Sequence, residues 1–182
     1  MNNQWQVINK IVEIKSPWVT LIGEKIKDNQ GKILDYWRVE KLDSLIIITQ
    51  YKNQLIFPKL NYRVGISKVS LDFAGGRVDS HKSLENNALF ILKKELNIEE
   101  KDLQYLILLN HQGWEINSAF NNQKLWGFYA QIKNETNLND NFIGASYSLT
   151  KDNLKCLLKD LTCLQCRGIL LESICQEFVA TS

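Results

Sequence analysis

Hydrophobic and polar positions alternate along the first third of the chain. Trp18-Val19-Thr20-Leu21-Ile22 reads as a strand that runs toward the turn-forming cluster Asp28-Asn29-Gln30-Gly31. From Lys32 to Glu40, Ile33, Asp35, Trp37 and Val39 alternate with Leu34, Tyr36, Arg38 and Glu40, so the two segments predict a hairpin. Ser44 to Tyr51 is continuous and rich in β-branched residues, as in a buried central strand. Lys52-Asn53 then predicts a tight turn into Gln54 to Leu60, where Pro58 marks an edge or a strand end. Val69 to Phe73 predicts another strand, followed by a glycine loop at Ala74-Gly75-Gly76-Arg77. The period then changes. Leu84, Ala88, Leu89, Ile91, Leu92 and Leu96 recur at steps of three and four, predicting a helix from an N-cap at Ser83 to an end near Asn97. Strands are expected at Tyr105 to Leu109 and Leu125 to Ile132, separated by a long polar loop whose length suggests function. A second polar connector at 134–141 leads to two C-terminal helices. This order predicts an α+β sandwich around one mixed sheet. A single domain is expected over 1–182, with an N-terminal hairpin segment at 1–42 and a core at 43–182.

Composition narrows the possibilities. The 182 residues are 45% hydrophobic and 23% charged, enough for a full core. A net charge of +2 makes nucleic acid an unlikely partner. The longest strongly apolar run, Leu45 to Ile48, is far short of the roughly 20 residues a membrane helix needs. The start of the chain lacks a basic n-region and an apolar h-region, so the cytoplasm is the expected location. Cys163 and Cys166 form a C-x-x-C flanked by Cys156 and Cys175, a sufficient count for a four-thiolate zinc site. However, the pair sits among Leu154, Leu157, Leu158, Leu161, Ile169, Leu170, Leu171 and Ile174 at helical spacing. Core packing is therefore the expectation, with metal or redox chemistry as the alternative. Two histidines, His81 and His111, are too few for a His-rich metal site.

The segment from Phe73-Ala74-Gly75-Gly76 through the helix resembles the signature of the Nudix hydrolase superfamily, G-x5-E-x7-R-E-U-x-E-E-x-G-U, where U is aliphatic. With the first glycine on Gly76, the family's aliphatic positions fall on Leu92 and Ile98 and its last glutamate on Glu95. Tyr62-Arg63 and the hairpin residues Asp35-Tyr36-Trp37-Arg38-Val39 resemble the ADP-ribose and ADP-sugar pyrophosphatase branch. The similarity spans roughly residues 15 to 178. It implies a Nudix-type α/β/α sandwich with an extra N-terminal hairpin that, in relatives, helps form a dimer and an adenine pocket.

The chemistry of the signature is largely replaced. The family's first glutamate falls on Lys82, its Arg-Glu pair on Phe90-Ile91 and its Glu-Glu pair on Lys94-Glu95. That cluster holds Mg2+ against a diphosphate in the family. Here the resemblance leaves Glu95 as the one catalytic and metal-binding candidate. The loop before the last strand, where the branch often has a further glutamate, offers Asp140, Asn141 and Gly144 instead. Lys82, Lys94, Arg63 and Arg77 could meet a phosphate directly, with the Gly75-Gly76 backbone close by. The alternative is that the lysines form a solvated helix face. Among the tryptophans, Trp126 fits the core, and Trp37 and Trp114 are the candidates for ligand contact.

Three functions follow. The first is a protein that recognises a nucleoside diphosphate sugar or related nucleotide, with weak or absent hydrolysis and no cofactor. The second is an active Mg2+-dependent pyrophosphatase in which Asp79, Glu85 or Glu115 joins Glu95. Glu85 and Glu95 lie ten positions apart and so point about 80° away from each other on one helix. The third is a non-catalytic scaffolding domain.

Overall fold

The computed structural model describes residues 5–179, which contacts divide into two compact units, 5–43 with 115–124 and 44–114 with 125–179. The first unit is a three-stranded antiparallel sheet of β1 (Gln6–Lys15), β2 (Thr20–Lys27) and β3 (Ile33–Glu40) in that order. The β2–β3 hairpin is the predicted one, and Asp28 holds its turn by accepting from Gln30 N and Lys32 N. The pattern did not predict β1. Its register on β2 shifts between Val7 and Asn9 and again between Lys10 and Val12, and these irregularities blur the two-residue period. The polar loop at 115–124 also packs in this unit, with Val39 N donating to Phe120 O at 2.8 Å.

The second unit is built on β4 (Ser44–Tyr51), β5 (Gln54–Pro58), β6 (Asn61–Arg63), β7 (Lys68–Ser70), β8 (Ala74–Arg77) and helix α1 (Leu84–Leu96). It continues through β9 (Leu103–Leu108), β10 (Trp114–Glu115) at the unit boundary, β11 (Lys124–Ile132), β12 (Ile143–Ser148), α2 (Lys151–Asp160) and α3 (Leu164–Cys175). The predicted Val69 to Phe73 strand is shorter, because only Lys68–Ser70 pairs, with β6. The predicted Ala74–Arg77 loop is a strand, because its backbone pairs with Ser44 to Ile47 of β4. The alternation did not mark β12, whose Gly144, Ala145 and Ser146 give little hydrophobic signal.

The sheet is mixed. β4 runs parallel to β11 along its whole length and antiparallel to β8 over its first half, and it meets β5 only at Gln50 and Tyr51. Leu45 and Ile47 of β4, with Phe128, Ala130 and Ile132 of β11, pack in one buried cluster with Ala88, Ile91, Leu92 and Leu96 of α1. The opposite face carries α3: a Cβ on Gly127 would lie 2.4 Å from Ile169 Cδ1, so the glycine lets that side chain pack directly on the strand. Helices on both faces complete the sandwich. Trp126 is partly buried against the α1 cluster, as its alternation suggested.

Candidate functional site

The strand–turn–helix at residues 74–97 is held at each joint. Ser83 caps α1 by accepting from Asn86 N at 3.1 Å. At the other end Asn97 takes φ 56°, ψ 34°, the left-handed conformation at the position where the family signature has its closing glycine. The turn before the helix is fastened by Asn87, which is buried. Its Oδ1 accepts from Asp79 N at 2.8 Å, and its Nδ2 donates to the carbonyls of Asp79 and Ser83. On the strand side, packing requires glycine at Gly75, where a Cβ would stand 2.9 Å from Leu45 O, while at Gly76 a Cβ would stand 3.2 Å from Ile91 Cδ1, a tight contact with a side-chain end.

β8 and the start of β4 form one wall of a cleft of about 660 Å³, whose other lining includes Arg63, Lys68, Asp72, Cys163 and Cys166. Arg63, Gly75, Gly76 and Arg77, four of the residues singled out in the sequence, meet there. Arg63 is anchored by Asp72, with its Nε and Nη2 each 2.7 Å from Oδ2. The charged lining residues are three cations, Arg63, Lys68 and Arg77, and one carboxylate, Asp72. Positive potential therefore dominates the cleft wall.

The half-buried carboxylate of Glu95 faces β8, where Gly75 N donates to Oε2 at 3.0 Å. Burial raises its pKa above the usual carboxylate range; the Gly75 bond and the charges of Lys94 and Arg63 oppose that rise. Lys94 is exposed on the last turn of the helix, outside the cleft lining. Lys82 pairs with Asp79 at 3.4 Å and lies 5.1 Å over the Phe90 ring, so the two side chains pack on each other. Trp37, in the other unit, lies over Gly23, where an added Cβ would be 3.1 Å from its ring. Trp114 is half-buried in β10 and does not line the cleft.

These residues do not fit a magnesium cluster of the Nudix kind. In the register that the resemblance sets, one carboxylate, Glu95, falls on a glutamate position and is already bonded to a backbone N–H, while Lys82, Ile91 and Lys94 fall on the other three. Of the alternative carboxylates, Glu85 is exposed on the first turn of α1 and Asp79 pairs with Lys82. Glu115 belongs to the other unit. Among the described residues, the group of three or more potential ligands with mutually close ligand atoms is Asp72, Cys163 and Cys166. Cys163 is the N-cap of α3 and Cys166 lies in its first turn, where Cys166 Sγ is 3.9 Å from Asp72 Oδ1. The thiol of Cys163 is lowered, chiefly by the Cys166 S–H beside its sulfur. Cys166 is raised, because ionising it would set a second negative sulfur against the first in a buried place. Sequence reasoning missed Asp72 and Asn87, which carry no motif of their own.

No protein-family model matches the sequence, and no curated protein matches it. Among solved structures, the chain is similar to one described as a crystal structure of ADP compounds hydrolase, with a TM-score of 0.74 and 19% identity. The match covers 96% of this chain and 94% of that one. The mixed α+β architecture is thus the fold of that neighbour.

Proposed function

We propose that the chain binds a nucleoside diphosphate sugar or a related nucleotide in the cleft along β8, without a magnesium cluster and with weak or absent hydrolysis. The observation that carries this reading is the positive charge of the cleft wall. Arg63, Lys68 and Arg77 line the cleft, and the one signature carboxylate, Glu95, is bonded to Gly75 N instead of facing a metal. A diphosphate is a fitting anion for guanidinium groups, which bind phosphate oxygens through paired N–H donors. Such a wall binds the anion without positioning a water for attack. The fold shared with an ADP compounds hydrolase supports the choice of a nucleotide over other anions.

Calorimetric titration of the full chain with ADP-ribose in the presence of a chelator tests this. Metal-free binding is expected, with Arg77→Ala weakening it about tenfold or more. AMP release that requires Mg2+ and falls in Glu95→Gln would instead establish a working hydrolase. An absence of both binding and release would leave the scaffolding role. Within the same reading, the chain works in the cytoplasm and pairs with a second copy through its N-terminal sheet. Val7, Ile11 and Ile14 on β1 are 59%, 46% and 57% exposed, an apolar surface that a partner would cover. No helix among the described residues is long and apolar enough to cross a membrane.

A further inference from the structure

The C-x-x-C lies at the edge of the proposed nucleotide cleft, and the fold gives it a third ligand. Asp72, Cys163 and Cys166 come from two places far apart in sequence, the segment after β7 and the start of α3, and their ligand atoms all lie within 4.8 Å of one another. Asp72 is held in place from behind. Arg63 takes its Oδ2, and Ser70 Oγ lies 3.2 Å from Oδ1, the oxygen that faces Cys166. All three ligand residues line the same cleft, so the group opens toward solvent on one side.

We propose that Cys163 Sγ, Cys166 Sγ and Asp72 Oδ1 form a three-ligand site for a zinc-like divalent cation, with its fourth position open to the cleft. The donor set selects the ion: thiolates favour zinc and its thiophilic relatives, whereas magnesium and calcium require oxygen ligands throughout. The spacing fits. Zinc–sulfur and zinc–oxygen bonds of about 2.3 and 2.0 Å give tetrahedral ligand–ligand edges of about 3.5 to 3.8 Å, close to the Cys166–Asp72 separation of 3.9 Å. The charges also balance, because two thiolates and a carboxylate on a dication leave one negative charge beside Arg63. Arg63 on Asp72 is the kind of outer partner that orients a ligating carboxylate. The four-cysteine site suggested by residue count does not form: Cys156 and Cys175 are exposed and stand outside the group, and a carboxylate takes their place.

The test is a titration of the reduced full chain with Co2+ and then Zn2+, with no nucleotide present, so that its outcome is independent of the nucleotide reading. A thiolate-to-cobalt charge-transfer band with tetrahedral d–d absorption is expected at one ion per chain and should be displaced by Zn2+. Cys163→Ser is the informative variant, because serine is a good helix N-cap and the fold should survive. It should weaken binding by at least about tenfold, as should Asp72→Asn, and the doubly substituted Cys156→Ser/Cys175→Ser chain should bind like the parent. Thermal melts of each variant confirm folding. The proposal is overturned if the reduced chain gives no thiolate–cobalt band, if the band survives Cys163→Ser, or if it depends on Cys156 or Cys175.

Discussion

The two units treat their apolar residues in opposite ways. In the second unit Leu45, Ile47, Leu92 and Ile132 are fully buried, because α1 covers one face of the sheet and α3 the other. Among the described residues of the N-terminal sheet, the buried apolar side chains are Ile22 and Ile26 of β2, beside Glu24, which Arg38 holds with Nε 2.9 Å from Oε2, whereas Val7, Ile8, Ile11, Ile14, Ile33 and Trp37 are exposed. Similar strand-forming residues thus produce a core in one place and an uncovered surface in the other. What differs is the presence of helices long enough to cover a face. An uncovered apolar sheet is a feature of surfaces that meet a partner, consistent with pairing between copies through this unit.

The largest expected effect breaks the covered side. Leu92→Ala should destabilise the chain by about 2 to 5 kcal/mol, measured by urea denaturation, because it opens a cavity between α1 and the sheet. Asn87→Ala comes next. It leaves the Asp79 N–H without its acceptor and takes a second donor from the carbonyls of Asp79 and Ser83, at a cost of about 2 kcal/mol, and should speed hydrogen exchange at residues 79–83. Ser83→Ala removes only the cap of α1 and should cost about 1 kcal/mol in the same assay.

The matching substitution on the open side is Ile11→Ser. For a monomer it should change stability by no more than about 0.5 kcal/mol, since Ile11 is already exposed. Its effect should appear instead in sedimentation, as a loss of self-association. A destabilisation comparable to that of Leu92→Ala would show that the N-terminal sheet is internally packed after all, and would erase the contrast between the units.

Sequence made the local parts of this fold legible. The caps at Ser83 and Asn97 follow from residue type and period, and the central strand Ser44–Tyr51 from an unbroken apolar run. Bulges conceal β1, and β8 reads as a loop because glycines mark turns as often as close contacts. The site was legible only where a motif carried it, at Gly75, Gly76, Arg63 and Arg77. Asp72 gains its meaning from the start of α3, which the tertiary fold brings beside it, and no local pattern encodes that meeting. Lys82 and Lys94 were legible as charges, while their separate placements, one packed on Phe90 and one in solvent, were not.

The smallest effect concerns two carboxylates that the units shelter differently. Glu24 has a guanidinium on it, whereas the nearest donor to Glu95 is a backbone N–H. Glu95 is raised by burial, so folding favours its protonated form. The stability this contributes is full below the ordinary carboxylate pKa and is lost as pH rises through the raised value in the folded chain. Glu95→Gln stays neutral and can still accept from Gly75 N. The variant should therefore match the parent at about pH 4 and melt at a higher temperature by about pH 8, the gap opening across the upper carboxylate range. Melting curves collected across that range decide it. If the parent gains on the variant as pH rises, Lys94 and Arg63 compensate the charge more than burial penalises it, and Glu95 would be sheltered as well as Glu24.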